Sequence, residues 1–417
     1  MRVCVIGSGG REHALAHVLG RSAEVVVTPG NPGIPGSVDV PPREVQADLF
    51  VVGPEAPLVE GLADALRGDG RLVFGPGGAG AQLEGSKAWM KDLLRSAGVP
   101  TARYGAFTEE EPAIEFLRSL PGPWVVKTDG LAAGKGVLVA ESFDAAAADV
   151  RAKLSGTSGF GAAGRRVVIE EGLSGPELSL LAICDGTRAV PLAPAQDFKR
   201  LGDGDEGPNT GGMGAYSPVP FAGKDVVGEV MDRFVEPSLA ELRRRGIDYR
   251  GVLYAGLMLT PEGPKLLEYN VRFGDPEAQV VLPRIESDLV DLLGEAAAGH
   301  IRGEPTFVDE AAVTVVMASP GYPESPRTGD VIRGIAEAEA TGATVFCAGV
   351  ASDEEGRLVT AGGRVLNVTG FGENLPEARN RAYDAVNMVD WPGEQHRSDI
   401  AHNPSNHPAT APRGLGS

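Results

Sequence analysis

The chain has 417 residues, 42% apolar and 23% charged, which exceeds what one hydrophobic core accommodates and predicts a soluble globular enzyme of several domains. Its 38 Lys and Arg against 57 Asp and Glu give a formal charge of −19, which repels nucleic-acid backbones and anionic membranes, so any phosphorylated ligand must meet locally placed cations. Three widely spaced cysteines form neither a disulfide framework nor a metal spacing, and no apolar run approaches the roughly 18 residues of a membrane span, so a reduced cytoplasm is expected.

VCVIG, a glycine turn and a helical pattern over 12–19 predict a strand-turn-helix unit, and VVVT (25–28) and LFVVG (49–53) add strands. Together they predict a doubly wound α/β domain over 1–100. GSGGREH (7–13) lies at the first strand-to-helix turn, where amides and the helix dipole can hold an anion; a purely structural turn is the other reading. As a dinucleotide fingerprint it fails, because Glu12 replaces the third glycine and no acidic residue stands near Thr28. PGNPG (29–33) and GPEAPL (53–58), the latter with Glu55, fall at the next strand ends, where such sheets bind ligands; a simple turn and a solvated carboxylate are the plainer readings.

A helix over 83–97, broken by Val99-Pro100, leads into an α+β domain over 101–300. Its expected strands are WVVKT, GVLVA, RVVIEE, LSLLAIC, VLYAGLML and PKLLEYN, with helices over 112–119 and 226–245. VVKTDGLAAGKGV (125–137) sets Lys127 and Lys135 around permissive glycines, which suits a triphosphate without being a Walker loop; solvated hairpin lysines are the alternative. VIEEGLSGPE (168–177) ends a strand whose backbone can read an adenine edge, with Glu177 placed for ribose hydroxyls, although acidic loops are common. QDFKRLGDGDEGPNTGGMGAYSP (196–218) combines Asp197, Lys199 and Arg200 with Asn209 and Thr210, and its segment 202–213 reads as a loop or lid that orders on ligand binding.

In LEYNVRFGDPE (267–277), alternation puts Leu267 and Tyr269 on one face and Glu268 and Asn270 on the other, two hard oxygen donors suited to Mg²⁺. Arg272 adds a cation for developing negative charge. A third unit over 301–400 holds strands AVTVVMAS, TVFCAGV and GRVLNVTG and a helix over 375–389; proline-rich 401–417 reads as a disordered tail.

With these segments in place, the chain resembles the glycinamide ribonucleotide synthetases of the ATP-grasp superfamily. GSGGREHA, GPEAPLV, LEGSKAWMK, VVKTDGLAAGKGV, QDFKR, GPNTGGMGAYSP, LYAGLM, LEYNVRFGDPE, SPGYP and TAGGRVLNVT carry the resemblance over nearly all of 1–400. It implies an N-terminal doubly wound (pre-ATP-grasp) domain, a central ATP-grasp α+β domain with a small lid over 103–172, and a small β-rich C-terminal domain. The implied activity is ATP- and Mg²⁺- (or Mn²⁺-) dependent ligation of glycine to 5-phosphoribosylamine through glycyl phosphate, a purine-biosynthetic step, by a cytoplasmic monomer.

Carried onto matching positions, the resemblance gives Glu268 and Asn270 to the metal. Lys127, Lys135 and Gly136 would meet the phosphates, and Glu170, Glu171, Leu173 and Glu177 the adenosine. Gly9, Gly10, Arg11, Asn31, Glu55, Asn209, Thr210 and Gly211 would bind the other substrates, and Arg272, Asp275 and Lys199 would face the reaction centre. The chain departs from the pattern at 37–46, too short for the usual strand and helix, at Phe198 in place of the QDHKR histidine, and at Cys347 in place of the VFHAG histidine. A different ATP-grasp ligase or carboxylase and a non-catalytic nucleotide-binding module are the alternatives.

Overall fold

A computed structural model of the protein describes residues 1–131, 136–156, 165–402 and 404. Lys135 and the expected tail beyond 404 therefore lie outside the described residues.

Uninterrupted apolar strands are buried on both faces, as parallel strands covered by helices must be. Four of them form the N-terminal sheet in the order Glu24–Pro29, Arg2–Gly7, Leu49–Val52, Val73–Phe74. The short segment 37–46 contributes a single bridge from Ser37 to Val27 and a 3₁₀ turn at Pro42–Glu44, while the Thr28 hydroxyl donates to the Val40 carbonyl.

The single helix expected over 83–97 is instead two, Gly78–Gly85 and Lys87–Ala97. Ser86 turns extended between them, and its hydroxyl accepts the Trp89 N–H at 3.2 Å, so local capping outweighs continuation. The 226–245 helix is real but carries a π turn over Met231–Val235 between Lys224–Val230 and Glu236–Arg244, just where Pro237 cannot donate a backbone bond.

The lid is a four-stranded sheet, Tyr104–Phe107, Val167–Glu171, Trp124–Thr128, Val137–Ala140, covered by helices Glu110–Arg118 and Phe143–Leu154. Ile114, Leu117, Val126, Val150 and Ile169 give it a hydrophobic cluster of its own. The central sheet is antiparallel: Ala189–Pro191, Glu177–Asp185, Arg250–Thr260, Gly263–Asn270.

The third sheet mixes distant parts of the chain. Gln196–Asp197 and Gly214–Ser217 lie beside Ala311–Ala318, followed by Arg364–Gly372 and Thr344–Cys347. Between the first two strands, the expected ligand-ordered loop is an antiparallel hairpin, Arg200–Gly202 against Glu206–Asn209. Among the described residues no helix is long and apolar enough to cross a membrane.

Candidate active site

The strand Gly263–Asn270 pairs Gly256 with Glu268 but Leu257 with Leu266, leaving Leu267 as the extra residue of a bulge. Leu266, not Leu267, therefore joins Tyr269 in the core, at 0% and 1% exposure, which corrects the simple alternation. Glu268 and Asn270 still share the half-buried opposite face, and the Leu267 carbonyl accepts the Lys127 ammonium at 3.4 Å.

The Glu268 side chain has neither a hydrogen bond nor an ion pair among the described residues, yet its charge acts on Lys87, Lys91 and Lys127. Asn270 Oδ1 accepts from Arg272 Nη2 at 3.3 Å. Arg272 also reaches Glu84 Oε1 at 3.0 Å and Glu55 Oε2 at 3.4 Å. Burial alone would weaken the guanidinium's hold on its proton, but these two carboxylates reverse the sign and keep it firmly charged.

Glu84 was not singled out from sequence. Its Oε2 accepts the Val271 N–H at 2.8 Å, so one carboxylate orients both Arg272 and the end of the strand that carries Glu268 and Asn270. In LEGSKAWMK it reads as an ordinary helix-surface residue.

Two lysines from different elements hold Glu170: Lys127 at 3.0 Å and Lys91 at 3.1 Å. Glu170 is 2% exposed, so its carboxylate is spent on these two lysines. Glu171 accepts the Arg103 N–H at 3.0 Å, and Glu177 Oε2 takes Lys199 at 2.6 Å. Lys199 also meets Asp197 at 2.8 Å; burial opposes its charge, but the two carboxylates raise its pKa well above the usual lysine value. The Gly136 carbonyl accepts the Thr128 N–H at 2.9 Å, and Leu173 lies in the link between lid and central sheet. Lys87, also missed, donates to the Gly130 carbonyl at 3.0 Å.

At the N-terminal sheet edge, Glu12 fills the space that a dinucleotide fingerprint leaves empty. Its Oε2 accepts the Gly9 N–H at 2.6 Å and its Oε1 the Arg11 Nε at 2.6 Å, so the helix caps its own positive end. A Cβ on Gly53 would fall 2.1 Å from Glu12 Oε1. Gly10 is a packing glycine, since a Cβ there would lie 2.3 Å from Asn367 Nδ2. Asn31 donates to the carbonyls of Ser8 (2.8 Å) and Ala348 (3.0 Å), clasping the first sheet to the third. The Gly9 amide and the Asn31 side chain expected at substrate are thus engaged within the protein.

Asp275 meets Arg364 at 3.1 Å and Gln279 at 2.8 Å. Burial favours its neutral form, but Arg364 and then Arg11 outweigh it and hold the carboxyl below the usual range. Arg364, unmarked in sequence, also donates to the Gly211 carbonyl at 2.7 Å, drawing Gly211 and Asp275 together. The Thr210 hydroxyl donates to the Lys199 carbonyl at 2.9 Å, and Asn209 pairs with Arg200 in the hairpin. Buried Glu277 accepts from the Tyr254 hydroxyl at 2.5 Å.

The donor set fits a hard divalent cation shared with a polyphosphate. Glu268 and Asn270 supply two oxygens, and no cluster of three acidic, His or Cys side chains among the described residues would complete a shell without the ligand. Lys87, Lys91 and Lys127 all lie within electrostatic reach of Glu268, among the carboxylates of Glu84, Asp129, Glu170 and Glu177.

The same fold occurs in the biotin carboxylase domain of the Hydrogenobacter thermophilus 2-oxoglutarate carboxylase, with a TM-score of 0.69 at 16% identity over 95% of this chain and 91% of that one. That shared fold, with a family model of an ATP-grasp domain matching residues 85–278, defines an ATP-grasp enzyme. Family models described as phosphoribosylglycinamide synthetase match in succession: the N domain at 1–84, the ATP-grasp (A) domain at 85–278 and the C domain at 312–403. The chain belongs to the phosphoribosylglycinamide synthetase family.

It is 49% identical to the phosphoribosylamine–glycine ligase of Streptomyces coelicolor, over 96% of this chain and 99% of that protein. The ligase of that name from Mesorhizobium japonicum is 47% identical over 96% and 97%. The crystal structure of the Thermotoga maritima phosphoribosylamine–glycine ligase superposes with a TM-score of 0.86 at 37% identity, covering 96% of this chain and all of that one.

Proposed function

We propose that this protein ligates glycine to 5-phosphoribosylamine, converting ATP to ADP and phosphate and giving glycinamide ribonucleotide. The observation that carries this reading is the lysine group facing Glu268 and Asn270 on one strand, in a chain that ligases of this name match almost end to end.

In the first half-reaction a glycine carboxylate oxygen attacks the γ-phosphorus, forming glycyl phosphate as ADP leaves. In the second, the amine attacks the acyl carbon, losing a proton as phosphate departs. Neither step needs an enzyme nucleophile; positioning and charge neutralisation suffice. Glu268 and Asn270 would hold Mg²⁺ or Mn²⁺, which when bound would supply part of that neutralisation. Lys127 and Lys87 bring fixed positive charge to the phosphates. Arg272, oriented by Glu84 and Glu55, covers the charge that develops beside Asn270. Asp275, kept ionised by Arg364 and Arg11, offers an acceptor to an ammonium or amine. We assign it as a cytoplasmic monomer with neither nucleic-acid nor membrane partners, in keeping with the charge of −19.

The test is ADP release with phosphoribosylamine generated in situ. Release is expected only when both glycine and the amine are present. Undiminished release without glycine would overturn the assignment, and dependence on bicarbonate would mark a carboxylase instead.

A further inference from the structure

We propose that Glu170 is a positioning residue that locks the lid onto the body of the central domain, with buried Lys91 as its anchor. The ligation chemistry itself has no use for Lys91, a lysine at 0% exposure on the helix Lys87–Ala97. Its ammonium lies 3.1 Å from Glu170 Oε2 on the lid strand Val167–Glu171, while Glu170 Oε1 lies 3.0 Å from Lys127 on the adjacent lid strand. Lys91 also donates to the Thr101 hydroxyl at 2.6 Å, and Thr101 donates to the Leu266 carbonyl at 2.6 Å. One polar chain thus runs from the lid, through the body helix and the linking segment, to the strand that carries Glu268.

The same helix docks the lid at two more points. The Tyr104 hydroxyl of the first lid strand donates to the Lys91 carbonyl at 2.8 Å. At the helix start, Asp129 accepts from the Ser86 hydroxyl at 2.9 Å and the Ala88 N–H at 3.1 Å.

A buried ion pair holds only while both partners remain, because separation strands a desolvated charge. The lid has a hydrophobic cluster of its own, so a swing of that unit away from the helix would have to break this pair. The lock also fixes Lys127 between Glu170 and the Leu267 carbonyl, setting its place relative to Glu268. This inference rests on the assignment of Lys127 to the ATP phosphates, and it moves the Glu170 carboxylate from nucleotide ligand to structural clasp.

The experiment compares wild type with Glu170→Gln, Lys91→Met and the double variant, each as full-length enzyme checked by thermal unfolding. Each single variant is expected to raise KM for ATP about tenfold, as loss of a buried charge partner implies, with KM for glycine within about twofold of wild type. Hydrogen exchange of residues 104–107 and 167–171 without substrates should accelerate, and the double variant should be no worse than Glu170→Gln. Should Glu170→Gln not fold, Lys91→Met, which leaves Glu170 paired to Lys127, decides alone. Unchanged KM for ATP together with unchanged lid exchange overturns the lock, as does a rise in KM for glycine equal to that for ATP. Because the exchange arm needs no substrate, it judges the lock even if wild type shows no glycine-dependent ADP release, which would sink only the ligase reading.

Discussion

Glu268 is the charged group of the site with no protein partner among the described residues, while each of its neighbours is tied down: Asn270 to Arg272, Arg272 to Glu84 and Glu55, Lys127 to Glu170. An open carboxylate is what the proposed metal role of Glu268 requires. Glu268→Gln keeps the shape and removes the charge, so kcat is expected to fall by about 100-fold or more. Thermal unfolding should stay within about 2 °C of wild type, because the side chain gives up no hydrogen bond or ion pair and only longer-range attraction to the lysines. Turnover equal to wild type would refute the metal role. Glu268, Asn270, Arg272 and Lys127 were singled out as proposed site residues because strand alternation and glycine-rich spacing mark them within their own motifs. Glu84, Lys87, Lys91 and Arg364 were not, because their roles come from partners such as Val271, Gly130, Glu170 and Asp275, remote in sequence.

At the scale of elements, the helix Gly10–Leu19 joins the first sheet to the third. The His13 Nδ1 accepts the Cys347 N–H at 2.8 Å, and its ring meets Phe346 edge-on at 5.5 Å. Burial, helped by neighbouring His17, pushes the His13 pKa down to about 4. The folded state therefore keeps His13 neutral at pH values where the unfolded chain, near 6.5, already binds a proton. Its contribution is full above pH 6.5 and is lost as pH falls toward 4, on the order of 2 kcal/mol after allowance for partial exposure. Melting of the wild type should drop more steeply between pH 6.5 and 4.5 than that of His13→Asn. Parallel curves for the two proteins would exclude this histidine as the cause. The Cys347 that stands in the usual histidine position sits in this junction, its Sγ 2.4 Å from where a Cβ on Gly33 would lie, so the two loops pack closely.

For the whole molecule, the third sheet is the decisive feature, because Gln196–Asp197 and Gly214–Ser217 are borrowed from the middle of the chain. The C-terminal segment returns the contact. Arg397, 1% exposed, pairs with Asp205 and Asp399 at 2.7 Å each and lies 4.9 Å over the Phe198 ring. Ser398 adds a backbone N–H to Asp203 at 2.8 Å. The hairpin expected to order on ligand binding is thus held by the protein itself, and Phe198, in place of histidine, supplies the apolar face on which the guanidinium stacks. Arg397→Ala strips a buried cation from two carboxylates and should cost about 3 kcal/mol in denaturant unfolding. A loss under about 0.5 kcal/mol, the size of an ordinary surface change, would show that the latch contributes little.

Strand runs, the doubly wound start and the ligase family were all readable from contiguous residues, because hydrophobic period and motif spacing are local properties of the chain. The folded molecule alone decided which carboxylates are spent on the protein and which stay open. It turned Glu12 into a cap, placed Glu170 between two lysines, drew Asp275 to Arg364, and broke the alternation at Leu267 with a bulge. Each of these depends on groups that meet only after elements remote in sequence have packed, and burial then sets the strength and sign of their charges.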